Sequence, residues 1–509
     1  MKTLRYIFIF MAAVTLAACS LEEDRTSVSD PDNYFRNFVE SQSVVNSCYM
    51  PMRTMYNGTF FLAVECVSDL MYCSGSGQRD AQLEITPATP RYGATGWTQA
   101  YSGVSRCNYA IHGIENADAD ALTDEQRVQL LCEAKALRGF YYLYLTSMFG
   151  DVPFYFDYVQ TLQDQDRIGR LGRMPANATR DSIIVDLQKI APLVDQTRTS
   201  DNKECRVGAA LAYMIIAKCA MWNAADDSKY WSIALDALKE IEAIYGDFAQ
   251  YQYEYNVLFR NKNTPESILE VQHKYEQGGI SYVSNLASFC TPTKRVVNEI
   301  AYFDGVEIPE IGAQATTYSP ARPNQSFVVL QPRKGSDIRA HVNMAWGYGG
   351  KDFDDTKSGG SGKPFLGPKF WCPDLQATYD GNNYKVYRYA DAILMMAECY
   401  YELNDNDLAV QYLNKTRTRA GLQPYEYKSR PRLIDEIRTE RGRELFGEFQ
   451  RKFDLVRWGI WEDKVMNNSD YSSLKNRLQP CHRYYPIPDT EVVDSKYNLD
   501  NKEYEAYGF

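Results

Sequence analysis

Two short stretches hold large rings that helix packing does not explain: Trp346 and Tyr348 in AWGYGG, and Phe370 and Trp371 in PKFWCP. Flanked by glycine and proline, such rings suit stacking on a sugar face, and equally suit pinning a loop onto a scaffold. Tyrosine adds to the pattern. Its 39 copies outnumber the 22 phenylalanines and 7 tryptophans together, and each offers an apolar face with a polar edge. Catalytic patterns are much weaker. The histidines at 112, 273, 341 and 482 are too scattered for an H-E-x-x-H site or a metal cluster. GGSGKP (359–364) lacks the first glycine and the Ser or Thr of a phosphate loop, and reads as a flexible loop. DFDD (352–355) reads as a solvated acidic loop, because Lys357 stands where an EF-hand needs glycine. SGSGQ, after Cys73, lacks the spacing of a nucleophile elbow. A glycosidase pair among the 66 acidic side chains is a matter of distance in space, and no local motif favours one pair.

The chain start supplies a different chemistry. Lys2 and Arg5 precede an apolar run from Tyr6 to Leu16, too short to span a bilayer, which needs about 20 residues. This reads as a secretory signal over residues 1–18. Leu16, Ala17, Ala18 and Cys19 resemble the bacterial lipobox, in which the cysteine sulfur takes a diacylglycerol before cleavage. A formal net charge of −11 argues against nucleic acid and anionic membrane faces as partners. Membrane contact is therefore expected through the lipid anchor alone. None of the 12 cysteines forms a C-x-x-C pair. Cys132, Cys219 and Cys399 sit among apolar helical residues as small hydrophobes, and Cys66 with Cys73 is the pair best spaced for a bridge.

Any binding groups must be carried by helices. After a polar linker (19–33), helical periodicity fills residues 34–254, interrupted by a loop at about 67–96. Thr123 and Gln126 spell a capping box, and Gly150 with Pro153 ends that helix. Further helices are expected at about 181–195, 207–222 and 230–244. A second block (384–509) opens with a helical pair, through YRYADAILMMAECYYELND and DLAVQYLNKTRTRAGL, of tetratricopeptide length, and continues with a charged helix at about 431–449. Between the blocks, residues 255–383 hold 13 of the 31 glycines and 9 of the 21 prolines, which excludes long helices and marks the region as loops on a scaffold.

Five segments then fall in a recognisable order: EAKALRGFYYLYLTSMFGDVPF (133–154), RYADAILMMAEC (388–399), LNKTRTRAGL (413–422), IRTERGRELFGEFQRKFDLVRWG (437–459) and YYPIPDTEV (484–492). Together with the lipobox they resemble the SusD/RagB outer-membrane lipoproteins of Bacteroidetes. Phe446, Gly447 and Phe449 depart from the usual order of small and aromatic residues in the fourth segment, which is expected to alter packing more than function.

The resemblance implies an all-α scaffold of four tetratricopeptide-like pairs with an inserted loop-rich binding region. It also implies a cell-surface lipoprotein that performs no catalysis, and no residue pattern in the sequence points to a cofactor or a metal site. Such a protein captures glycan and passes it to a SusC-like TonB-dependent barrel. A peptide-binding importer component and a lipid-anchored glycosidase are the alternatives. GWTQAYSGVSRCNYAI matches the family's helix of spaced Trp, Tyr and Asn, which makes Trp97 a candidate ligand contact beside Trp346, Tyr348, Phe370 and Trp371. Asp69 and Arg79 are a candidate carboxylate and guanidinium for sugar hydroxyls. Glu22, Glu23 and Asp24 resemble the acidic signal that sends such lipoproteins to the outer face.

Overall fold

Helices begin where the sequence places their caps. Thr123 Oγ1 accepts from Gln126 N (3.2 Å), Gln126 Oε1 accepts from Thr123 N (3.1 Å), and the helix Asp124–Phe149 runs to Gly150 at φ +73°. The computed structural model describes residues 34–509 apart from 74–76, 203, 253–254, 277–281, 292–294, 298–299, 304–305, 308–314, 319, 349–350, 353–363 and 373–374; side chains are described outside 292–314 and 347–363. Cys19 with its acidic run, and most of DFDD and GGSGKP, lie outside the described residues.

The scaffold helices are α1 (Phe38–Ser47), α2 (Gly58–Glu65), α3 (Tyr92–Asn116), α4 (Asp124–Phe149), α5 (Ala176–Ile190), α6 (Ala209–Asn223) and α7 (Tyr230–Tyr245), then α8 (Tyr389–Glu402), α9 (Asn406–Arg419), α10 (Arg430–Glu444) and α11 (Arg451–Arg457). Successive helices stack: α3 on α4, α4 on α5 and α6, α6 on α7, α8 on α9, and both α8 and α9 on α10. The two blocks also meet directly, because α7 packs on α8 although about 140 residues separate them. Residues 255–383 are thus looped out of a continuous helical stack, as repeat architectures permit. The insert's root is an antiparallel strand pair, β1 (Ser267–Val271) with β2 (Tyr384–Arg388), in register Val271 opposite Tyr384.

Rings fill the seam between the blocks. Phe60 stacks on Phe449 (5.4 Å, 15°), and Phe446 lies parallel to Phe327 of the insert (4.0 Å, 7°). The charged helix stops at Glu444, earlier than its periodicity suggests, and the chain turns through Gly447 (φ +71°) and Phe449 (φ +60°). A Cβ on Gly447 would run into the Phe370 ring. Gly447→Ala is therefore expected to cost about 1–3 kcal/mol from strain and overpacking, read as a lower urea midpoint at unchanged slope. Cys66 and Cys73 are not joined in a disulfide, which corrects the expected bridge.

A second network at the seam is ionic. Arg388, 2% exposed, donates through Nε to Glu448 Oε2 (2.7 Å) and through Nη1 to Glu444 Oε1 (2.7 Å). Arg419 Nη2 reaches the same Glu444 oxygen (2.6 Å), and Arg339 Nη1, from the insert, reaches Glu444 Oε2 (2.7 Å) and Glu440 Oε1 (2.8 Å). Lys369, also from the insert, pairs with Glu448 (2.7 Å).

Candidate ligand-binding face

The rings expected to form a stacking surface are mostly interior. Trp97 stands in the second turn of α3, 3% exposed, edge-on to Phe149 at 5.1 Å. Trp346 (5% exposed) donates Nε1–H to Ala340 O (2.9 Å), and Trp371 (9%) donates Nε1–H to Leu366 O (3.2 Å). Phe370 (6%) meets Phe61 and Phe446. These four rings pin α3 and the insert to the core, because the indole N–H groups of Trp346 and Trp371 find carbonyls inside, that of Trp97 finds the Glu491 carboxylate, and the ring faces find apolar neighbours. That corrects the expectation of a tryptophan platform. Tyr348 belongs to the short strand Gly347–Tyr348, and its side chain lies outside the described residues.

Asp69 and Arg79 are not brought together as a sugar clamp. Asp69 is buried and takes two hydrogen bonds of 2.7 Å from the Arg451 guanidinium at the start of α11. Arg79 pairs with Glu84, which also accepts from Arg477 (2.9 Å). The expected loop at 67–96 holds a strand, Met71–Cys73, a turn at Asp80–Gln82 and the first turn of α3.

The exposed rings of the insert are tyrosines that the sequence reading missed. Tyr282 (52% exposed), Tyr318 (56%) and Tyr379 (47%) rise from one layer of bridged loops. Ser284 bridges to Asp380, Gln376 to Tyr379 and Ala315 to Ala377, and Tyr318 N donates to Ser288 O (2.8 Å). The layer is fastened over the start of α2, where Gly58 N donates to Asn285 Oδ1 (2.8 Å). The Arg53 guanidinium lies 3.8 Å over the Tyr282 ring, and Phe289 lies 6.0 Å from Tyr318. One signal was available. The three tyrosines stand among small polar residues (SYVS, TTYS, TYDG), whereas the buried tryptophans have apolar neighbours in KFWC and MAWG.

Tyr282 and Arg53 form one wall of a groove of about 350 Å³, whose other lining includes Asn46, Arg206, Gln272 and His273. Arg206 is held by Glu133 (3.0 Å), which also accepts the Tyr49 hydroxyl. Burial pushes the His273 imidazole down to about 4, so it is neutral at pH 7, with Nδ1 at 3.0 Å from Val271 O. The face thus combines stacking rings with fixed amide, guanidinium and imidazole groups, a combination suited to polyhydroxylated ligands. Among the described residues, no group of three or more His, Cys, Asp or Glu could hold a metal ion.

Comparison with known proteins gives consistent matches. A family model described as "SusD family" matches residues 373–505, and one described as "Starch-binding associating with outer membrane" matches residues 26–220. SusD-like protein P2 of Formosa agariphila is 23% identical over 98% of this chain and 99% of its own. A SusD superfamily protein from Bacteroides vulgatus superposes with a TM-score of 0.73 at 20% identity, covering 92% of this chain and 100% of that one. Surface glycan-binding protein A from Bacteroides thetaiotaomicron, in complex with laminarihexaose, superposes with a TM-score of 0.70 at 22% identity over 91% and 98% of the two chains. The matched models fall on the two helical blocks that pack into one stack, and the shared fold runs along nearly the whole chain: the protein belongs to the SusD/RagB family.

Proposed function

We propose that this protein is a glycan-binding lipoprotein of the cell surface, anchored to the outer membrane through Cys19, that captures oligosaccharide and delivers it to a SusC-like TonB-dependent barrel. The observation that carries the reading is the bridged loop layer presenting Tyr282, Tyr318 and Tyr379 beside a polar groove. The laminarihexaose complex of a structural neighbour supports carbohydrate as the ligand class. The outer-membrane wording of the matched family model supports the location. No helix among the described residues is long and apolar enough to cross a membrane; the lipid anchor is proposed from the lipobox-like Leu16, Ala17, Ala18 and Cys19. Two or more acyl chains make such an anchor stable, since each buried methylene contributes about 0.8 kcal/mol.

Capture followed by release needs only moderate affinity. Ring contacts contribute about 0.5–1.5 kcal/mol each, which with a few hydrogen bonds gives dissociation constants in the micromolar to millimolar range. Replacing Tyr282, Tyr318 and Tyr379 together by Ala is expected to weaken glycan binding by about tenfold or more. Thermal unfolding should barely move, because these rings are about half exposed. Affinity electrophoresis across a panel of neutral glycans tests this, and retention equal to that of the unaltered protein would sink the assignment.

A further inference from the structure

Away from the tyrosine layer, α10 and α11 border a second cleft of about 390 Å³, lined by Asp69, Ser326, Asp435, Arg438, Trp458 and Lys464 among others. Its electrostatics are unbalanced. Three guanidiniums surround the Trp458 ring, with Arg438 at 5.1 Å, Arg457 at 5.4 Å and Arg451 at 5.5 Å from the ring centre. Two are neutralised: Arg451 by Asp69 (2.7 Å) and Arg457 by Glu398 (2.7 and 2.8 Å), which also accepts the indole N–H (2.8 Å). Arg438 differs. Among the described residues its guanidinium has no ion pair, and its buried Nε has no acceptor. Asp435 lines the cleft and Glu402 lies within electrostatic reach, yet neither pairs with it. Lys464, exposed at the rim, adds a further cation.

The sealed Nε–H without an acceptor is costly, and because the Arg438 side chain is only half-buried its unpaired guanidinium can still offer its outer N–H groups to a planar carboxylate or a sulfate in the cleft. The lining also holds the hydroxyl and amide side chains of Ser326, Thr439 and Asn468, beside the aliphatic Leu70, Leu330 and Ile460. We propose that this cleft binds an acidic saccharide, with the carboxylate or sulfate on Arg438 and Lys464 and the hydroxyls toward Ser326, Thr439 and Asn468. The inference rests on the carbohydrate reading above but concerns a separate site.

The test titrates the full chain with a glucuronate-terminated oligosaccharide, its neutral counterpart and inorganic sulfate, by calorimetry at two salt concentrations. The acidic sugar should bind more tightly than the neutral one, weaken with salt, and lose about tenfold or more in affinity in Arg438→Gln. It should bind unchanged in the triple tyrosine variant. Lys464→Gln, at an exposed position, keeps the test decisive if Arg438→Gln fails to fold, and should lose several-fold. Equal affinity in a folded Arg438→Gln, no loss in Lys464→Gln, or inorganic sulfate matching the acidic sugar would overturn the proposal. Retained acidic-sugar binding with no binding of neutral glycans would instead overturn the tyrosine-face reading and leave this one standing.

Discussion

Glu444→Gln is expected to destabilise the protein by about 3–5 kcal/mol, because the carboxylate answers three buried guanidiniums and an amide answers none of their charges. Arg388, Arg419 and Arg339 all donate to Glu444 at 2.6–2.7 Å, and the glutamate is fully buried. Burial opposes its charge, but the three arginines outweigh burial and hold the carboxyl far below the ordinary value of 4.5. A carboxylate with a depressed value stabilises the fold above the ordinary value and loses that contribution as pH falls toward the folded one. The gap between the natural protein and the variant should therefore be full at pH 7 and narrow below about 4.5. Urea midpoints compared at pH 7 and in acid check both statements. A variant as stable as the natural protein at pH 7 would show that Glu440, Glu448 and Glu266, the last accepting from Arg388 Nη1 (3.3 Å), suffice for the cluster.

Lys452→Met should do the reverse and stabilise by a few kcal/mol at neutral pH. Lys452 is 1% exposed in α11, between the Trp461 and Tyr485 rings, and its Nζ donates to His482 O (3.1 Å). Burial is the main cause that pushes its amine from 10.5 down to about 7, with Asp80 and Glu462 only partly offsetting it. Between those two values the unfolded chain holds a proton that the folded chain gives up. The lysine thus begins to destabilise as pH falls below 10.5, and its full cost is reached below about 7. Methionine, of similar length, removes the charge and leaves one carbonyl with one donor fewer. Melting temperatures should separate most at pH 6–7 and converge near pH 11. A constant separation across that range would mean that packing, and not the proton, sets the difference.

How much of this was legible depended on how local each determinant is. The helix Asp124–Phe149 was readable at both ends because Thr123, Gln126 and Gly150 act within one turn of chain. The insert was readable from glycine and proline density. Its mode of attachment was not, because β1 and β2 pair residues more than a hundred positions apart. Glu440, Arg441 and Glu444 stood out as charges around apolar residues of one helix. That the two glutamates are buried follows from Arg339, Arg388 and Arg419, and that Arg441 is follows from Asp391 and Asp454, partners no helical period reveals. Which rings of the insert stay exposed was not legible. Trp346 and Trp371 were noticed for their size, yet large rings among apolar neighbours are what the interior takes up, while Tyr282, Tyr318 and Tyr379 stay at the surface because small polar neighbours leave them nothing apolar to enter.

The strand pair at the root of the insert also bears on engineering. Val271 and Tyr384 face each other across the pair, so the points where the chain leaves and rejoins the scaffold are about 5 Å apart, near enough for a tight turn to join them. By topology, residues 272–383 are a removable cassette. By charge they are not, since Arg339 and Lys369 leave with them and strand Glu440, Glu444 and Glu448 beneath. A recognition cassette grafted from a relative would have to bring two cations of its own to the same carboxylates, whatever ligand its outer loops select.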